Sequence, residues 1–333
     1  MILVTGATGL VGGHIIWRLL QENERVSATR RKNSKLDSIR TIFCFYSKYP
    51  DEFLDRIDWI EVEILDEKSV AMALQNVSVV YHCAAVVSLG SNNSKMMETN
   101  VSGTRNIVKA CLLNGVEKLC FVSSIAACGK SEDQRFIDEK SVWVDSFWQS
   151  AYSRSKYYSE QEVWNGIKQG LKAVIVNPGV ILGVSGTETG SSELFARVQK
   201  GLIFYTNGGS GYIDVQDVAK IMIQLVKSET TAERFVLVSE NCSNRKVLSL
   251  MAKGFNKQKP IIGIGKRMLV GIGFLSETIG KIFRFKPLID RGKARSVTNR
   301  AYFSSEKVKK LLDYKFKPIE ECISEVCRFR LRL

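Results

Sequence analysis

A chain of 333 residues with 45% hydrophobic and 25% charged residues has an ordinary globular composition and is longer than one small core requires. Its two histidines are too few for a multi-histidine metal centre, and its eight cysteines include no C-x-x-C pair, which argues against a zinc site or a disulfide framework. The net charge of +14 lies almost wholly in residues 251–333, which hold 20 basic and 7 acidic residues.

The first strand predicted along the chain is MILVT, which starts at Met1 with no basic segment or cleavage site before it. We therefore expect no secretory signal and a cytoplasmic protein. The longest uncharged apolar stretch of the C-terminal part, MLVGIGFLS at 268–276, is too short to cross a bilayer.

Three glycines at a spacing of three residues follow this strand, in TGATGLVGG, and an amphipathic helix, LVGGHIIWRLLQ, begins among them. Gly6 permits a tight turn, Gly9 lets the backbone approach a pyrophosphate, and Gly12 lets the helix pack closely on the sheet. The positive N-terminus of the helix would hold the pyrophosphate. This context, a strand before and a helix after, predicts a dinucleotide cofactor.

The end of the second strand distinguishes the two nicotinamide dinucleotides. RVSAT runs into Arg30, Arg31 and Lys32, with no carboxylate before Asp37. Guanidinium groups hold a 2′-phosphate through charge-assisted hydrogen bonds, whereas a carboxylate would repel it. The pattern favours NADP(H) and leaves NAD(H) as the alternative. The alternative without a cofactor role is that these basic residues only form a solvated turn.

Runs of strand length alternate with helical patterns, which is typical of βαβ units in a parallel sheet covered on both faces. We expect a Rossmann-type, doubly wound α/β domain over residues 1–180. A smaller, mostly helical substrate lobe would occupy 181–333, with 211–240 returning to the first domain. A long connection at 36–57 should carry its own helix, and 186–193 should form a mobile loop. The expected strands are 1–5, 25–29, 59–64, 77–83, 118–124 and 172–177, and the expected helices after the first are 67–75, 98–114 and 153–168.

A candidate for proton transfer lies in SAYSRSKYYSE, where Tyr152 and Lys156 are four residues apart and share one helix face. A nearby ammonium is expected to lower the pKa of the phenol, which then serves as an acid or base toward a carbonyl or alcohol. Ser123 and Ser124 end the strand FVSS, at the sheet edge where open α/β folds bind ligands. Asn100, early in a helix, is available to orient water or backbone groups.

Five motifs follow one another along the chain, namely TGATGLVGG, YHCAA, NVSGTRN, FVSSIAACG and Y-x-x-x-K. Their order and separations are typical of the extended short-chain dehydrogenase/reductase family, which includes NAD-dependent epimerases and dehydratases, and the chain resembles this family. The resemblance extends along the chain to GYIDVQDVA at 211–219. Within this family, the sequence is most similar to dihydroflavonol reductase-like and 3β-hydroxysteroid dehydrogenase-like members. A homodimer is suggested by the same resemblance.

The resemblance implies roles for individual positions. Ser124 matches the catalytic serine and Tyr152 the proton-transfer residue. Lys156 would also bind the nicotinamide ribose, and Asn100 matches the structural and relay asparagine. Arg31 falls where reductases of this type bind the 2′-phosphate. The residues expected at the cofactor are Gly6, Thr8, Gly9, Leu10, Val11, Gly12, Arg30, Arg31, Glu63, Ile64, Ala84, Ala85, Lys156, Pro178, Gly179 and Val180.

Several residues near these motifs receive a different interpretation. Glu63 stands where the family usually has an aspartate, and its longer side chain leaves the adenine contact open. His82 is expected to pack in the core or a loop, and Cys128 to be a buried, inert thiol. At least one of Tyr157 and Tyr158, beside the proton-transfer motif, is expected to pack. Three aromatic residues either cover the pocket or only pack, namely Trp143, Phe147 and Trp148.

We therefore expect an NADPH-dependent oxidoreductase that reduces a ketone or aldehyde, or oxidises the alcohol, of a fairly apolar small molecule. The alternative is a nucleotide-sugar epimerase with tightly bound NAD, against which Arg30 and Arg31 argue. A dehydratase would place carboxylates after the catalytic serine, where Ile125 and Ala126 stand. A dinucleotide sensor without enzymatic activity would tend to lose Tyr152 or Lys156.

The basic C-terminal part contains KRMLVGIGFLSETIGKIFRF at 266–285, which mixes apolar and basic residues at roughly helical spacing. We rank a substrate lid first and contact with an anionic membrane surface second. Nucleic-acid binding ranks last, because no recognised binding module accompanies the charge.

Overall fold

The computed structural model describes residues 1–34, 36–87, 93–129, 136–146, 149–265 and 300–332. Phe147, Trp148 and residues 266–285 lie outside these ranges. The strands of the described chain are β1 (Ile2–Thr5), β2 (Val26–Arg30), β3 (Ile57–Glu61), β4 (Val79–His82), β5 (Lys118–Val122), β6 (Ala173–Pro178), β7 (Val180–Leu182), β8 (Phe204–Thr206), β9 (Gly209–Asp214), β10 (Glu233–Leu237), β11 (Glu240–Ser243) and β12 (Ile262–Ile264).

The central sheet is parallel, and its strand order is β10-β6-β5-β4-β1-β2-β3. β1 lies between β2 and β4, with Leu3 opposite Ser27 on one side and Val80 on the other. The chain builds the sheet outward from β1 in both directions. The carboxyl end of β1 therefore lies at the topological switch point, where open α/β sheets bind ligands. The predicted doubly wound α/β fold is confirmed.

Helices cover both faces of this sheet because its strands are apolar on both sides. α1, α2 and α8 pack on one face, and α4, α5 and α6 pack on the other. The described helices are α1 (Leu10–Gln21), α2 (Asp37–Tyr46), α3 (Asp51–Leu54), α4 (Glu67–Ala73), α5 (Asn93–Leu113), α6 (Ala151–Lys168), α7 (Ser191–Gln199), α8 (Val215–Lys227), α9 (Asn244–Gly254), α10 (Glu306–Leu312) and α11 (Ile319–Arg330). None of them is long and apolar enough to cross a membrane.

A second apolar core joins the later segments. Phe195 on α7, Met251 on α9 and Ile323 on α11 pack together with residues of β7, β9 and β11. β10 instead pairs with β6, where Phe235 lies opposite Val176, and so belongs to the central sheet. The domain division at residue 180 stays a prediction.

Several predicted boundaries are wrong by a few residues. β3 covers 57–61 rather than 59–64, because the chain leaves the sheet after Glu61 pairs with Arg30. α5 begins at Asn93 rather than residue 98, and α6 begins at Ala151 because the Ser150 hydroxyl caps it by accepting from the Ser153 N–H at 3.0 Å. The connection at 36–57 carries two helices rather than one, and α7 takes in the end of the segment 186–193.

Candidate functional site

The turn after β1 requires glycine at two positions. Gly6 has φ +67°, and a Cβ there would lie 2.6 Å from the backbone nitrogen of Ala84. A Cβ on Gly12 would lie 2.4 Å from the Gly6 carbonyl oxygen, and the Gly9 N–H donates to that same oxygen at 2.9 Å. The first turn of α1 is thereby held against the end of β1, as the glycine spacing predicts.

The N-terminus of α1 is open to an anion. Its N-cap is Gly9, which brings no side-chain cap, and its first turn holds no acidic residue. Thr8 is fixed through its carbonyl, which accepts from the Ser38 hydroxyl at 3.0 Å. Leu10 and Val11 are partly buried. Free backbone N–H groups and the helix dipole at this position suit a pyrophosphate.

Two arginines lie at the end of β2. Arg30 is partly buried, and its Nε is a buried polar atom without a hydrogen-bond partner among the described residues. Arg31 is exposed, and its backbone N–H donates to the Ser34 hydroxyl at 3.1 Å. A buried donor without a partner is costly. A phosphate at the strand end would satisfy the Arg30 guanidinium.

Other predicted cofactor residues border the same sheet edge. Ala84 packs directly against the Gly6 turn, and Ala85 follows it after β4. The side chain of Ile64 lies 3.1 Å from the position a Cβ would take on Gly103, which fixes it against α5. Glu63 is exposed. The structure thus holds Ile64 in place and leaves the Glu63 side chain in solvent.

The Ser124 side chain lies close enough to Tyr152 to affect its phenol. Burial raises the pKa of Tyr152, and the Ser124 hydroxyl offsets part of that rise. The Ser124 oxygen accepts from the Ala126 N–H at 3.1 Å and keeps its own proton to donate. The expectation of a net lowered pKa is therefore wrong, because removal of the phenol from water outweighs its stabilising partners.

Lys156 is buried on the same face of α6. Its ammonium donates to the Val122 carbonyl at 2.9 Å and lies 5.4 Å from the centre of the Phe121 ring. Burial lowers its pKa to about 8, while Cys83 and Glu160 act in the opposite direction. An ammonium has three donors, so two remain after the bond to Val122.

Asn100 connects three segments around the site. Its Oδ1 accepts from the Val86 N–H at 2.7 Å, and its Nδ2 donates to the Val86 carbonyl and to the Ser155 hydroxyl, both at 3.1 Å. The loop after β4, helix α5 and helix α6 are thus held together. Asn100 therefore contacts backbone groups in the described structure, and its part in catalysis stays a prediction.

His82 is a core residue, as predicted, because both ring nitrogens bind buried hydroxyls. The Thr104 hydroxyl donates to the Asn100 carbonyl, so His82 Nε2 must donate to Thr104 at 3.1 Å. His82 Nδ1 then accepts from the Thr5 hydroxyl at 2.7 Å. Burial lowers the pKa of His82 to about 3, which keeps this imidazole neutral.

The segment after β6 approaches β9 closely. A Cβ on Gly179 would lie 2.4 Å from the Gly211 carbonyl oxygen, so no larger residue fits there without movement. Pro178 ends β6, and Val180 begins β7 opposite Tyr212 of β9. These residues lie at the carboxyl end of β6, on the same sheet edge as the end of β5.

The family can be stated from the sequence itself. Residues 2–237, more than half of the chain, match the model of the NAD dependent epimerase/dehydratase family. The chain belongs to this family.

Individual relatives are reductases by name. "Putative dihydroflavonol 4-reductase" of Synechocystis sp. is 31% identical over 74% of this chain and 70% of its own length. Cinnamoyl-CoA reductase 1 of Petunia hybrida is 24% identical over 77% of each chain. The NADPH-dependent methylglyoxal reductase of Saccharomyces cerevisiae is 24% identical over 100% of this chain and 99% of its own. These similarities support an NAD(P)-dependent oxidoreductase.

Solved structures share the whole fold. The crystal structure of gox2253 has a TM-score of 0.82 and 26% identity, covering 100% of this chain and 98% of that one. The UDP-glucose 4-epimerase of Thermotoga maritima, with UDP-glucose, has a TM-score of 0.78 at 18% identity, covering 99% and 98%. The second likeness concerns the fold alone.

In this member of the family, sequence reasoning missed a buried cluster behind the predicted catalytic residues. The Glu160 carboxylate accepts from the Ser123 hydroxyl at 2.8 Å, from Asn177 Nδ2 at 3.0 Å and from Arg234 Nη1 at 3.2 Å. Asn177 Nδ2 also donates to the Ser124 carbonyl at 3.0 Å. Glu160 was visible as the residue one helical turn after Lys156, but no local pattern indicates Arg234.

The remaining predictions around the site concern packing. Cys128 is buried, as expected, and burial raises its pKa to about 12, which disfavours the reactive thiolate. Trp143 stacks on Tyr157 with ring centres 4.5 Å apart, so Tyr157 packs as expected. No group of three or more metal-ligating side chains occurs within the described ranges.

Proposed function

We propose that this protein is an NADPH-dependent reductase of a ketone or aldehyde, acting on a fairly apolar small molecule. The single observation that carries the proposal is the placement of Tyr152 and the buried Lys156 ammonium one turn apart on α6, with the Ser124 hydroxyl near enough to lower the pKa of Tyr152, at the carboxyl edge of the sheet. The named reductases among the relatives support a carbonyl substrate.

The residues present fit a dinucleotide. At Gly6 and Gly12 a Cβ would clash with neighbouring backbone atoms, so only glycine allows this close turn. The first turn of α1 offers backbone N–H groups that no side chain caps. Arg30 and Arg31 suit a 2′-phosphate, since the Arg30 Nε has no described partner and no carboxylate follows β2 closely. When bound, the reduced nicotinamide supplies the hydride.

Proton transfer is assigned to Tyr152. The Ser124 oxygen accepts from the Ala126 N–H and keeps its own proton, with which it can donate to the Tyr152 oxygen while the Tyr152 proton goes to the substrate oxygen. The raised pKa keeps Tyr152 protonated at neutral pH, which is the form that donates. As the proton leaves, the Ser124 hydroxyl stabilises the phenolate and the Lys156 ammonium adds a positive charge nearby.

The test follows NADPH absorbance while the purified protein meets a panel of steroid, flavonoid and short-chain ketones and aldehydes, with NADH as the comparison. We expect consumption that favours NADPH. Tyr152→Phe should lower turnover by about 100-fold or more, because the phenyl ring keeps the packing and has no proton to give.

Tyr158→Phe is the matched control, since Tyr158 lies on the same helix, is exposed, and donates to Asp145 at 3.4 Å instead of facing Ser124. It should keep normal turnover. Wild-type turnover in Tyr152→Phe would contradict the proton-transfer role. No consumption of either cofactor, together with NAD bound to the purified protein, would favour a nucleotide-sugar epimerase.

A further inference from the structure

β8 and β12 form a two-stranded parallel sheet of their own and expose apolar side chains. The Ile203 carbonyl accepts from the N–H groups of Ile261 and Ile262, both at 3.1 Å, and Phe204 lies opposite Ile262 in the register. The exposed fractions are 48% for Ile203, 43% for Phe204, 70% for Ile261 and 42% for Ile262. We call these four residues the β8–β12 patch. Apolar side chains that are exposed together in this way mark an interaction surface more often than single ones do.

The inner side of the same small sheet is already packed. Leu202 and Tyr205 lie against the second apolar core, which includes Met251 of α9 and Phe255 directly after it. None of the four patch residues belongs to that core or packs against it. The patch is therefore free to contact a partner outside the chain.

The chain that carries the patch is basic. Residues 194–213 and 241–265, which include β8, α9 and β12, hold seven basic residues and no acidic one. Three of the seven form ion pairs with acidic residues elsewhere, namely Arg197, Lys246 and Lys253. The other four are exposed and have no ion pair among the described residues, namely Lys200, Arg245, Lys257 and Lys259.

These unpaired cations border the apolar side chains. The Arg245 guanidinium lies 5.2 Å from the centre of the Tyr205 ring, beside Phe204 in the chain, and Lys259 is two residues from Ile261. Apolar groups bordered by lysine and arginine suit the surface of an anionic bilayer, where the apolar groups enter the acyl boundary and the cations meet the headgroups. A nucleic acid would use the charges alone and leave the isoleucines in water.

We propose that the β8–β12 patch and the cations that border it bind the surface of an anionic lipid bilayer. The contact is peripheral and reversible, because it rests on a few apolar side chains and about four charges. It goes beyond the proposed function, since it concerns where the protein is held and not the reaction. It uses described residues only and is separate from the expectation for residues 266–285.

The test is sedimentation of the full chain with vesicles of phosphatidylcholine and phosphatidylserine in a ratio of about 2:1, which carry the negative surface potential of an anionic leaflet. Vesicles of phosphatidylcholine alone are the comparison. We expect binding to the anionic vesicles at low ionic strength. Binding should be at least about tenfold weaker to the neutral vesicles, and likewise in about 0.5 M salt, where surface charges are screened.

Lys257→Gln/Lys259→Gln tests the charges and leaves the apolar side chains in place. Each lysine near an anionic surface contributes about fivefold in affinity, so this variant should bind roughly 25-fold more weakly. Lys168→Gln/Lys172→Gln is the matched control, because it removes the same charge at exposed positions between the end of α6 and the start of β6. It should change binding little. An equal loss in the control would mean that net charge alone drives the binding and would overturn the proposal.

Ile203→Thr/Ile261→Thr tests the apolar part. Threonine keeps the branched shape that suits strands and removes apolar area, so binding to the anionic vesicles should fall by roughly tenfold. Leu113→Thr is the control, since Leu113 at the end of α5 is 77% exposed and lies outside the patch. Thermal unfolding checks that each variant is folded, and the two lysine variants supply the test if the isoleucine variant is not.

Three outcomes would overturn the proposal. The first is no binding of the wild type to anionic vesicles at low ionic strength. The second is unchanged binding in a folded Ile203→Thr/Ile261→Thr variant. The third is binding of a single-stranded oligonucleotide as tight as that of the vesicles, which would assign the surface to nucleic acid instead. Vesicle binding is measured without substrate or cofactor, so a failure of the proposed reaction leaves this test intact.

Discussion

Asn100 on α5 donates a hydrogen bond of 3.1 Å to the Ser155 hydroxyl on α6, and that hydroxyl donates to the Tyr152 carbonyl at 2.9 Å. The first turn of α6 is thereby tied to α5. Asn100 also satisfies the N–H and the carbonyl of Val86, so all of its amide donors and its oxygen have partners. Its role in the described structure is to hold the backbone that surrounds Tyr152.

Asn100→Ala should therefore lower the free energy of unfolding by about 1–3 kcal/mol, because it leaves the partly buried Val86 N–H and carbonyl without the bonds they make to Asn100. Turnover should fall as well, since α6 loses its link to α5. Ser155→Ala, the control, removes the interhelical bond and spares Val86, so its stability loss should be smaller. Urea unfolding of both variants measures the difference, and equal stability of Asn100→Ala and the wild type would contradict this account.

The alternation of strands and helices through β6 could be predicted because each element is encoded by its own local periodicity. Boundaries were less predictable, as at β3, where pairing with β2 ends the strand before its apolar pattern does. The Glu160–Arg234 pair joins residues 74 positions apart, which meet because β10 pairs with β6. That pairing across the sheet leaves no local signal.

The identity of the site residues could be predicted from the sequence, but their pKa values could not. Ser124, Tyr152 and Lys156 follow from motif spacing, and in the structure the Ser124 hydroxyl lowers the pKa of Tyr152. The direction of the Tyr152 pKa depends on burial, which a motif does not encode. Lys156 likewise donates to the Val122 carbonyl, a contact set by the end of β5.

Cofactor preference should depend on the arginines after β2. Replacing Arg30 and Arg31 together by alanine should weaken NADPH binding by roughly 10- to 100-fold and change NADH binding little, because charge-assisted bonds to a phosphate contribute about 1.5–3 kcal/mol. Arg25→Ala, at an exposed position just before the same strand, is the control and should change neither. Calorimetric titration with both cofactors decides, and an equal loss for NADPH and NADH would remove the 2′-phosphate argument.

The glycine turn makes a steric prediction. Gly12→Ala should lower the free energy of unfolding by about 1–3 kcal/mol and weaken binding of either cofactor, because its Cβ would lie 2.4 Å from the Gly6 carbonyl oxygen. The atoms nearest the new Cβ belong to the backbone of Gly6 and Ala7, so the clash can be removed only if α1 moves. Gly265→Ala, where no described residue lies within 4 Å of the new Cβ, is the control for the substitution itself. Equal midpoints of thermal unfolding for the two variants would show that the close packing of α1 on β1 does not contribute to stability.

His82 should make the protein less stable in mild acid. Its pKa is about 3 in the folded chain and about 6.5 in an unfolded one, so the unfolded state takes up a proton below pH 6.5 and the folded state does not. The resulting stability is fully present above pH 6.5 and is lost toward pH 3, at about 1.4 kcal/mol per pH unit. His14, whose pKa burial lowers to about 4, adds a second contribution of the same sign.

His82→Gln isolates the first contribution. At pH 7 this variant should be less stable than the wild type, because glutamine cannot reproduce both bonds to Thr5 and Thr104. The difference in free energy of unfolding should narrow as the pH falls to 5. The wild type loses stability over this range because its unfolded state takes up a proton at His82, whereas the variant has no imidazole at this position. Urea unfolding at pH 7, 6 and 5 measures it, and His14→Gln serves as the comparison that retains the His82 slope. A difference in stability between wild type and His82→Gln that stays constant with pH would mean that His82 takes up a proton as readily in the folded protein as in the unfolded one, which would contradict its lowered pKa.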